Sequence, residues 1–509
     1  MSKGLAINQN IIFQIKDTAW NYLVAAVVSE IVVLLTYDKM FLAYGYVALQ
    51  LAFLLYLLLK RKYVKYVCYY LVFIIVTLEE PSYYGINAAY GLKSLRIGGV
   101  TVGAILSIII FCVLLAQWLI NRTILKEREN SFETLKRVFT ILAFFSIYSL
   151  IAGCFSFFVL DDNHISSISG AYSAFFMACY AQFTLVLVPV CIFYFISIMY
   201  PESIHEVKEA IICGLSALVI GQLFSFLFGI TGTYFLSDIL IVSLVYRYDS
   251  FLLLEGSITN GPNKKWLYLL GGFGLAFSVL FPTGSGQIFV SASVLAWLII
   301  MLIKKKKYVS LVVIIVAIAA VGVAFSAYYA KTTSNALWFK IYQLRKVLNI
   351  WDNNWYINMP SSAQERFNEL FNILREYKYN PIGFVFGKGV MGTTHDRGNY
   401  FFINGIPMPE AFSDFENHAG LFYVMHSTMN NLFLSNGIIG VVLMFYIIYL
   451  CIKNLKYSSL IAPAAFWMFF AYRYMTTLSM YGVACMIIGM AEVDTKKKSV
   501  INIEGEAEL

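Results

Sequence analysis

The chain has 509 residues, of which 60% are hydrophobic and only 13% charged, with a mean hydropathy of +0.72. That apolar load excludes an ordinary soluble domain and defines an all-α polytopic membrane protein. The formal charge of +8 at pH 7 sits in short Lys/Arg clusters between apolar runs, so it speaks of membrane topology and not of a nucleic-acid surface.

The N-terminal stretch MSKGLAINQNIIFQIKDTAW lacks a basic region followed by a short apolar core and a small-residue cleavage site, so the first membrane helix is expected to be retained. Apolar runs begin near Trp20, Phe41, Tyr66, Gly98, Val138, Ala171, Ala210, Tyr234, Trp266, Gly284, Tyr308, Asn431, Leu460 and Met475, which predicts about 14 spans by length. All eight cysteines fall within such runs and none forms a CxxC pair, so they are read as packing residues.

Basic residues collect at Lys60 to Lys65, Arg122 to Arg137, Pro201 to Lys208, Arg247 to Lys265, Lys304 to Lys307, Lys453 to Lys456 and Lys496 to Lys498. All of these share one side if the spans alternate. The other side receives Glu79 and Glu80, the Asp161–His164 turn, the Phe281–Gly284 turn and one long polar segment. Retention of Lys and Arg inside then puts both termini in the cytoplasm and the polar segment outside a cell membrane. The expected organisation is an N-terminal bundle of about 11 helices over 1–329, a large extracytoplasmic loop domain over 330–430, C-terminal membrane helices over 431–491 and a cytoplasmic tail over 492–509.

Within the outer segment, Trp338, Ile341, Leu344, Leu348 and Trp351 recur at helical spacing and predict an amphipathic helix near the interface. A second helix starts where Ser362 and Glu365 have capping-box spacing. Phe367, Leu370, Phe371, Leu374 and Tyr377 form its apolar face, and Pro381 ends it. Arg366 lies on the edge of that face, which suits either a buried ionic partner or a flanking arginine that snorkels. His395, Asp396 and Arg397, like Asp414, Glu416 and His418, show no standard zinc or calcium spacing, so they are read as loop structure or glycan contacts and no metal site is expected.

The stretch HSTMNNLFLSNGIIG, His426 to Gly440, opens in a polar loop and closes inside an apolar run. If the helix extends back into the loop, His426 and Gly437 share a face about 16 Å apart. Gly437 and Gly440 would let a neighbouring helix pack closely. Periodicity alone gives an interfacial histidine above a packing pair of glycines.

The same stretch resembles the signature of the O-antigen ligase and Wzy-type polysaccharide polymerase superfamily: His, then Asn, Ser or Gln, nine residues, Gly, two residues, then Gly, Thr or Tyr. His426, Ser427, Gly437 and Gly440 occupy its fixed positions. Upstream, ERFNELFNILREYKYNPIGFVFGKG is similar to the family's arginine-bearing amphipathic helix followed by Pro and a Gly-rich turn, carried by Arg366, Pro381, Gly383, Gly387 and Gly389. The likeness covers Phe281 to Gly440. It departs from the family where a Ser-Arg pair often opens a mid-chain helix, because Ser285, Gly286 and Gln287 stand here without an arginine.

The resemblance implies a membrane glycosyltransferase of the GT-C type that uses no nucleotide sugar, metal or other cofactor. It would transfer an undecaprenyl-pyrophosphate-linked glycan onto a lipid-linked repeat unit at the outer membrane face. His426 would take the acceptor proton and Arg366 would neutralise the pyrophosphate. Arg473, near the external end of the last hairpin, and Arg96, at the external start of the fourth span, are further phosphate candidates. The number of spans favours a polymerase, but the signature does not separate it from a ligase acting on lipid A core or an oligosaccharyltransferase acting on protein. A flippase for lipid-linked oligosaccharide is the alternative of another class, opposed by the lack of an internal repeat and by the long loop. A chain-length regulator and a flippase would be the expected partners, together with the bilayer.

Overall fold

The structure, a computed structural model, describes residues 20–32, 40–76, 95–97, 100–227, 306–329, 361–396 and 412–453, with short pieces between these and most of 485–493. Among those residues the chain is mostly helical. Fourteen helices are labelled here in chain order: α1 Trp20–Val32, α2 Met40–Leu59, α3 Tyr63–Ile75, α4 Val102–Ile120, α5 Arg122–Ser131, α6 Glu133–Phe155 and α7 Ala171–Ala181. They continue with α8 Val188–Met199, α9 Ile204–Leu227, α10 Tyr308–Tyr329, α11 Ser361–Tyr379, α12 Pro381–Phe386, α13 Asp414–Ala419 and α14 Thr428–Lys453.

Among the described residues, four helical stretches are long and apolar enough to cross a bilayer: Val102–Ile120, Glu133–Leu160, Ala171–Met199 and Thr428–Leu450. The runs expected near Trp20, Phe41, Tyr66, Ala210 and Tyr308 are helical as well. Those near Tyr234, Trp266, Gly284, Leu460 and Met475 lie outside the described residues, as does Arg473.

Local chemistry explains the irregular points of the bundle. Thr101 caps α4, its hydroxyl accepting from the Ala104 amide at 3.3 Å. Between α7 and α8 the helix widens into a π segment over Gln182–Leu187. Pro189 follows at once; its ring has no amide to give and crowds the carbonyl four residues back, and a wider turn relieves both problems. The apolar core is formed by α3 on α9, α4 on α8 and α6 against α8 and α14. Part of the expected cytoplasmic tail belongs to this bundle. The Glu492 carboxylate accepts from the amides of Thr134 (2.8 Å) and Leu135 (3.3 Å) at the start of α6, where the helix dipole favours an anion.

The long polar segment is packed onto the apolar helices. One apolar cluster joins Phe157, Ile165 and Phe175, at the α6–α7 corner, to Val390, Met391 and Leu421. Another joins Ile373 and Tyr377 of α11 to Phe422, Met425 and Phe433. A short antiparallel pair, Thr394–His395 with Leu421–Phe422, closes the segment on itself. Trp351 lies exposed in a turn, and the other apolar positions of the helix expected around it fall outside the described residues.

The inward face of α11 differs from the expected one. Phe371 and Leu374 are exposed, whereas Glu365, Asn368, Glu369, Asn372 and Glu376 are buried. Of the expected apolar face, Tyr377 is buried and Phe367 and Leu370 are half-buried, so the helix keeps one edge of that stripe inside and turns the other outward. The polar face turns inward because partners for it stand there, and in a membrane environment an apolar face has another place to go.

Candidate active site

The approach to His426 is fixed by a buried carboxylate. Ser413 and Glu416 form a capping box at the start of α13. The free side of Glu416 then accepts the amides of Tyr423 (2.9 Å) and Val424 (2.8 Å), which leads the chain toward His426 in one direction. Burial pushes the Glu416 carboxyl up, and these amide bonds oppose that shift. Ser427 caps α14, its hydroxyl accepting from the Asn430 amide at 3.1 Å. His426 therefore stands just before the helix, and the condition under which it would share a face with Gly437 is not met.

Glu369 holds the histidine. Its Oε1 lies 2.6 Å from His426 Nδ1 and also accepts the His426 amide at 2.7 Å, while its Oε2 accepts from Asn430 Nδ2 at 2.8 Å. Asn430 uses the same amide group to reach the Arg366 carbonyl at 2.8 Å. Three nitrogens thus surround the two Glu369 oxygens, an arrangement that suits a proton on Nδ1 directed at Oε1. Nε2 is the nitrogen that can accept another proton. The ring edge of Phe412, 5.2 Å away centroid to centroid, fixes the ring plane.

A second carboxylate stands beside the pair. Glu365 Oε1 lies 3.2 Å from His426 Nδ1, buried and outside hydrogen-bond geometry. Burial pushes the Glu365 carboxyl up, and the nearby His426 charge opposes the shift. For His426, burial disfavours the charged ring, but the hydrogen bond to Glu369 and the charges of Glu365 and Glu369 outweigh it and raise its pKa. The positive field of Arg366, half-buried on the same turn of α11, reaches both groups and lowers both pKa values in part.

The glycines form a second constellation. Gly437 breaks α14 with φ 64° and ψ −163°, so His426 and Gly437 share no helical face. The break releases the carbonyls of Phe433, Leu434 and Ser435. The Tyr377 hydroxyl donates to the first two at 2.8 Å each, the Lys388 amide to Leu434 at 2.9 Å, and the Gly389 amide to Ser435 at 2.9 Å. Gly387 and Gly389 both hold left-handed φ, and a Cβ on Gly437 would come within 2.4 Å of the Val385 carbonyl oxygen. A Cβ on Gly440 would meet Asn436 of its own helix first, so the expected packing of a neighbouring helix there is replaced by an internal contact. Pro381 ends α11 and opens α12, where Asn380 caps Gly383 at 2.8 Å.

Of the residues singled out in the sequence, His426, Ser427 and Arg366 come together, as do Gly387, Gly389 and Gly437. Arg96 lies in a two-residue strand paired with Val100–Thr101 just before α4, and only its backbone is described. Glu369 and Asn430 escaped the sequence reading, and Glu365 was read only as a capping residue. The spacing of Glu365 and Glu369, one turn apart, was the available signal, but their partner lies 57 residues beyond Glu369.

No metal site was expected, yet Glu365, Glu369 and His426 bring ligand atoms within 4.8 Å of one another, the one such group among the described residues. These donor types suit a divalent cation. The 2.6 Å separation of Nδ1 and Oε1 is, however, a hydrogen-bond length, shorter than the roughly 3 Å between ligands around a cation bound at about 2.1 Å. As arranged, a proton closes the pair. Comparison with protein families, curated proteins and solved structures yields no match to this chain.

Proposed function

We propose that the chain is a membrane polysaccharide polymerase of the Wzy-like kind, acting at the extracytoplasmic face of a cell membrane within a bundle of about fourteen spans. The observation that supports it is the Glu369–His426 pair, seated at the head of a helix long and apolar enough to span a bilayer. In this reaction His426 Nε2 takes the proton of an acceptor sugar hydroxyl as that oxygen forms its bond to the anomeric carbon of the donor glycan. The bond from that carbon to the undecaprenyl pyrophosphate breaks with inversion, and the pyrophosphate leaves with the electron pair. Arg366 offsets its charge, and Glu369 stabilises the imidazolium that forms.

The glycans of cells lacking the gene, complemented with the intact chain or with His426→Ala, test this reading. Long ladders restored only by the intact chain support a polymerase. Long chains accumulating on the lipid carrier in the null cells instead identify a ligase, and repeat units trapped facing the cytoplasm identify a flippase.

A further inference from the structure

The turn Gly387–Gly389 and helix α12 touch two spanning helices at one level. On one side the Val390 amide donates to the Ser149 carbonyl of α6 at 2.8 Å, the Tyr148 hydroxyl donates to the Phe386 carbonyl at 2.8 Å, and Gly389 abuts Gly153. On the other, the Lys388 and Gly389 amides bond the opened carbonyls of α14. Along α14, sixteen residues separate Gly437 from Lys453 at the inner end; along α6, sixteen separate Gly153 from Arg137. Each interval is about 24 Å at ~1.5 Å per residue, against a hydrocarbon core about 30 Å thick. Both helices independently put the turn about 6 Å inside the outer hydrocarbon boundary.

We infer that Tyr379–Gly389 is a re-entrant element of the membrane domain, with Ile382, Phe384 and Phe386 in contact with the acyl chains of the outer leaflet. Non-helical backbone at this depth requires protein partners for its amides. Those of Gly387, Lys388, Gly389 and Val390 all have them, and Pro381 has no amide to satisfy. The side chains turned outward are apolar: Ile382 is 73% exposed and Phe386 49%. The one charged side chain of the stretch, Lys388, is only 2% exposed and bonds Glu376 at 3.0 Å. The exposed face also continues the outward apolar residues of both neighbours, Phe144, Ile147 and Ile151 on α6 and Ile438 and Val442 on α14. A surface this apolar and continuous with spanning helices is covered by lipid. This geometry is independent of the proposed chemistry.

Photo-crosslinking tests the inference. A p-benzoylphenylalanine is introduced singly at position 382 or 386, at 442 as the reference within a span, and at Asn417, exposed on α13, as the aqueous reference. The full chain is reconstituted in vesicles of phosphatidylethanolamine and phosphatidylglycerol, irradiated, and read by mass spectrometry for lipid adducts. Adducts at 382 and 386 comparable to those at 442 and several-fold above those at 417 are expected. Yields at 382 and 386 that match 417 while 442 is labelled would overturn the inference. So would adducts to a second copy of the chain, or no lipid adduct even at 442.

Discussion

Glu369 and Glu376 stand two turns apart on the same inward face of α11, and they meet different partners. Glu376 meets the ammonium of Lys388, which also donates to the Thr393 carbonyl at 3.0 Å and is sealed from solvent. Glu369 meets an imidazole whose side chain keeps 16% of its surface open. The Lys388 ion pair holds two segments together, and the other Glu376 oxygen stands 3.7 Å from His395 Nδ1, beyond hydrogen-bond reach. A buried carboxylate on one nitrogen of a half-open ring leaves the other nitrogen able to exchange a proton. One helix face therefore both ties the polar segment down and positions the histidine proposed to react.

That contrast can be broken at four places. His426→Ala is expected to lower the rate of glycan polymerisation, referred to the folded fraction in reconstituted vesicles, by ~10²–10⁴-fold. A variant that inserts normally and keeps its rate removes His426 from the chemistry. Lys388→Met leaves Glu376 buried with its main partner gone and should destabilise the protein by about 3–5 kcal/mol, read from thermal unfolding in detergent. Adding Glu376→Leu should recover most of that loss, while the folded fraction of either variant stays active.

Glu369→Gln sharpens the other half of the comparison. Loss of a hydrogen bond to a charged group, about 1.5–3 kcal/mol, corresponds to a roughly 10- to 100-fold lower maximal rate. The pH profile should move with it. A base works deprotonated, so the rate of the intact protein rises as pH climbs through the raised pKa of His426. Without the carboxylate that limb shifts to lower pH; an unshifted limb would separate Glu369 from the titration. Linkage gives the matching sign for stability: the pairing contributes fully below the ordinary histidine pKa of about 6.5 and is lost as pH rises through the folded value. The smallest effect belongs to Ser427→Ala, which removes a helix cap and should cost about 1 kcal/mol in the same melt. A cost several times larger would give the hydroxyl a role beyond capping.

Two short motifs show how far the sequence could be read. Ser413 to Glu416 and Ser362 to Glu365 have the same capping spacing, and the first closes as a box. Glu365 lies against His426, and nothing within a few residues of it announces that. The helices near Trp20, Val138, Ala171 and Asn431 were legible because apolar length is a local property. So was Pro381, whose missing amide acts at its own position. The inward face of α11 was not, since periodicity groups residues by direction without naming what waits in that direction. Gly437 was visible as a motif position, but spacing suggested an unbroken helix, whereas the fold uses it to open carbonyls for a segment some fifty residues earlier.

The opened carbonyls also impose an order on biogenesis. The amides of Lys388 and Gly389 leave the ribosome before the carbonyls of Leu434 and Ser435 exist, while their neighbour α6 is already in place. Until α14 arrives, those amides have no lipid-compatible partner, so the turn must wait in water and seat last. A nascent chain arrested before Leu434 should therefore keep a protease-sensitive turn, and release of the arrest should render it resistant in a single late step.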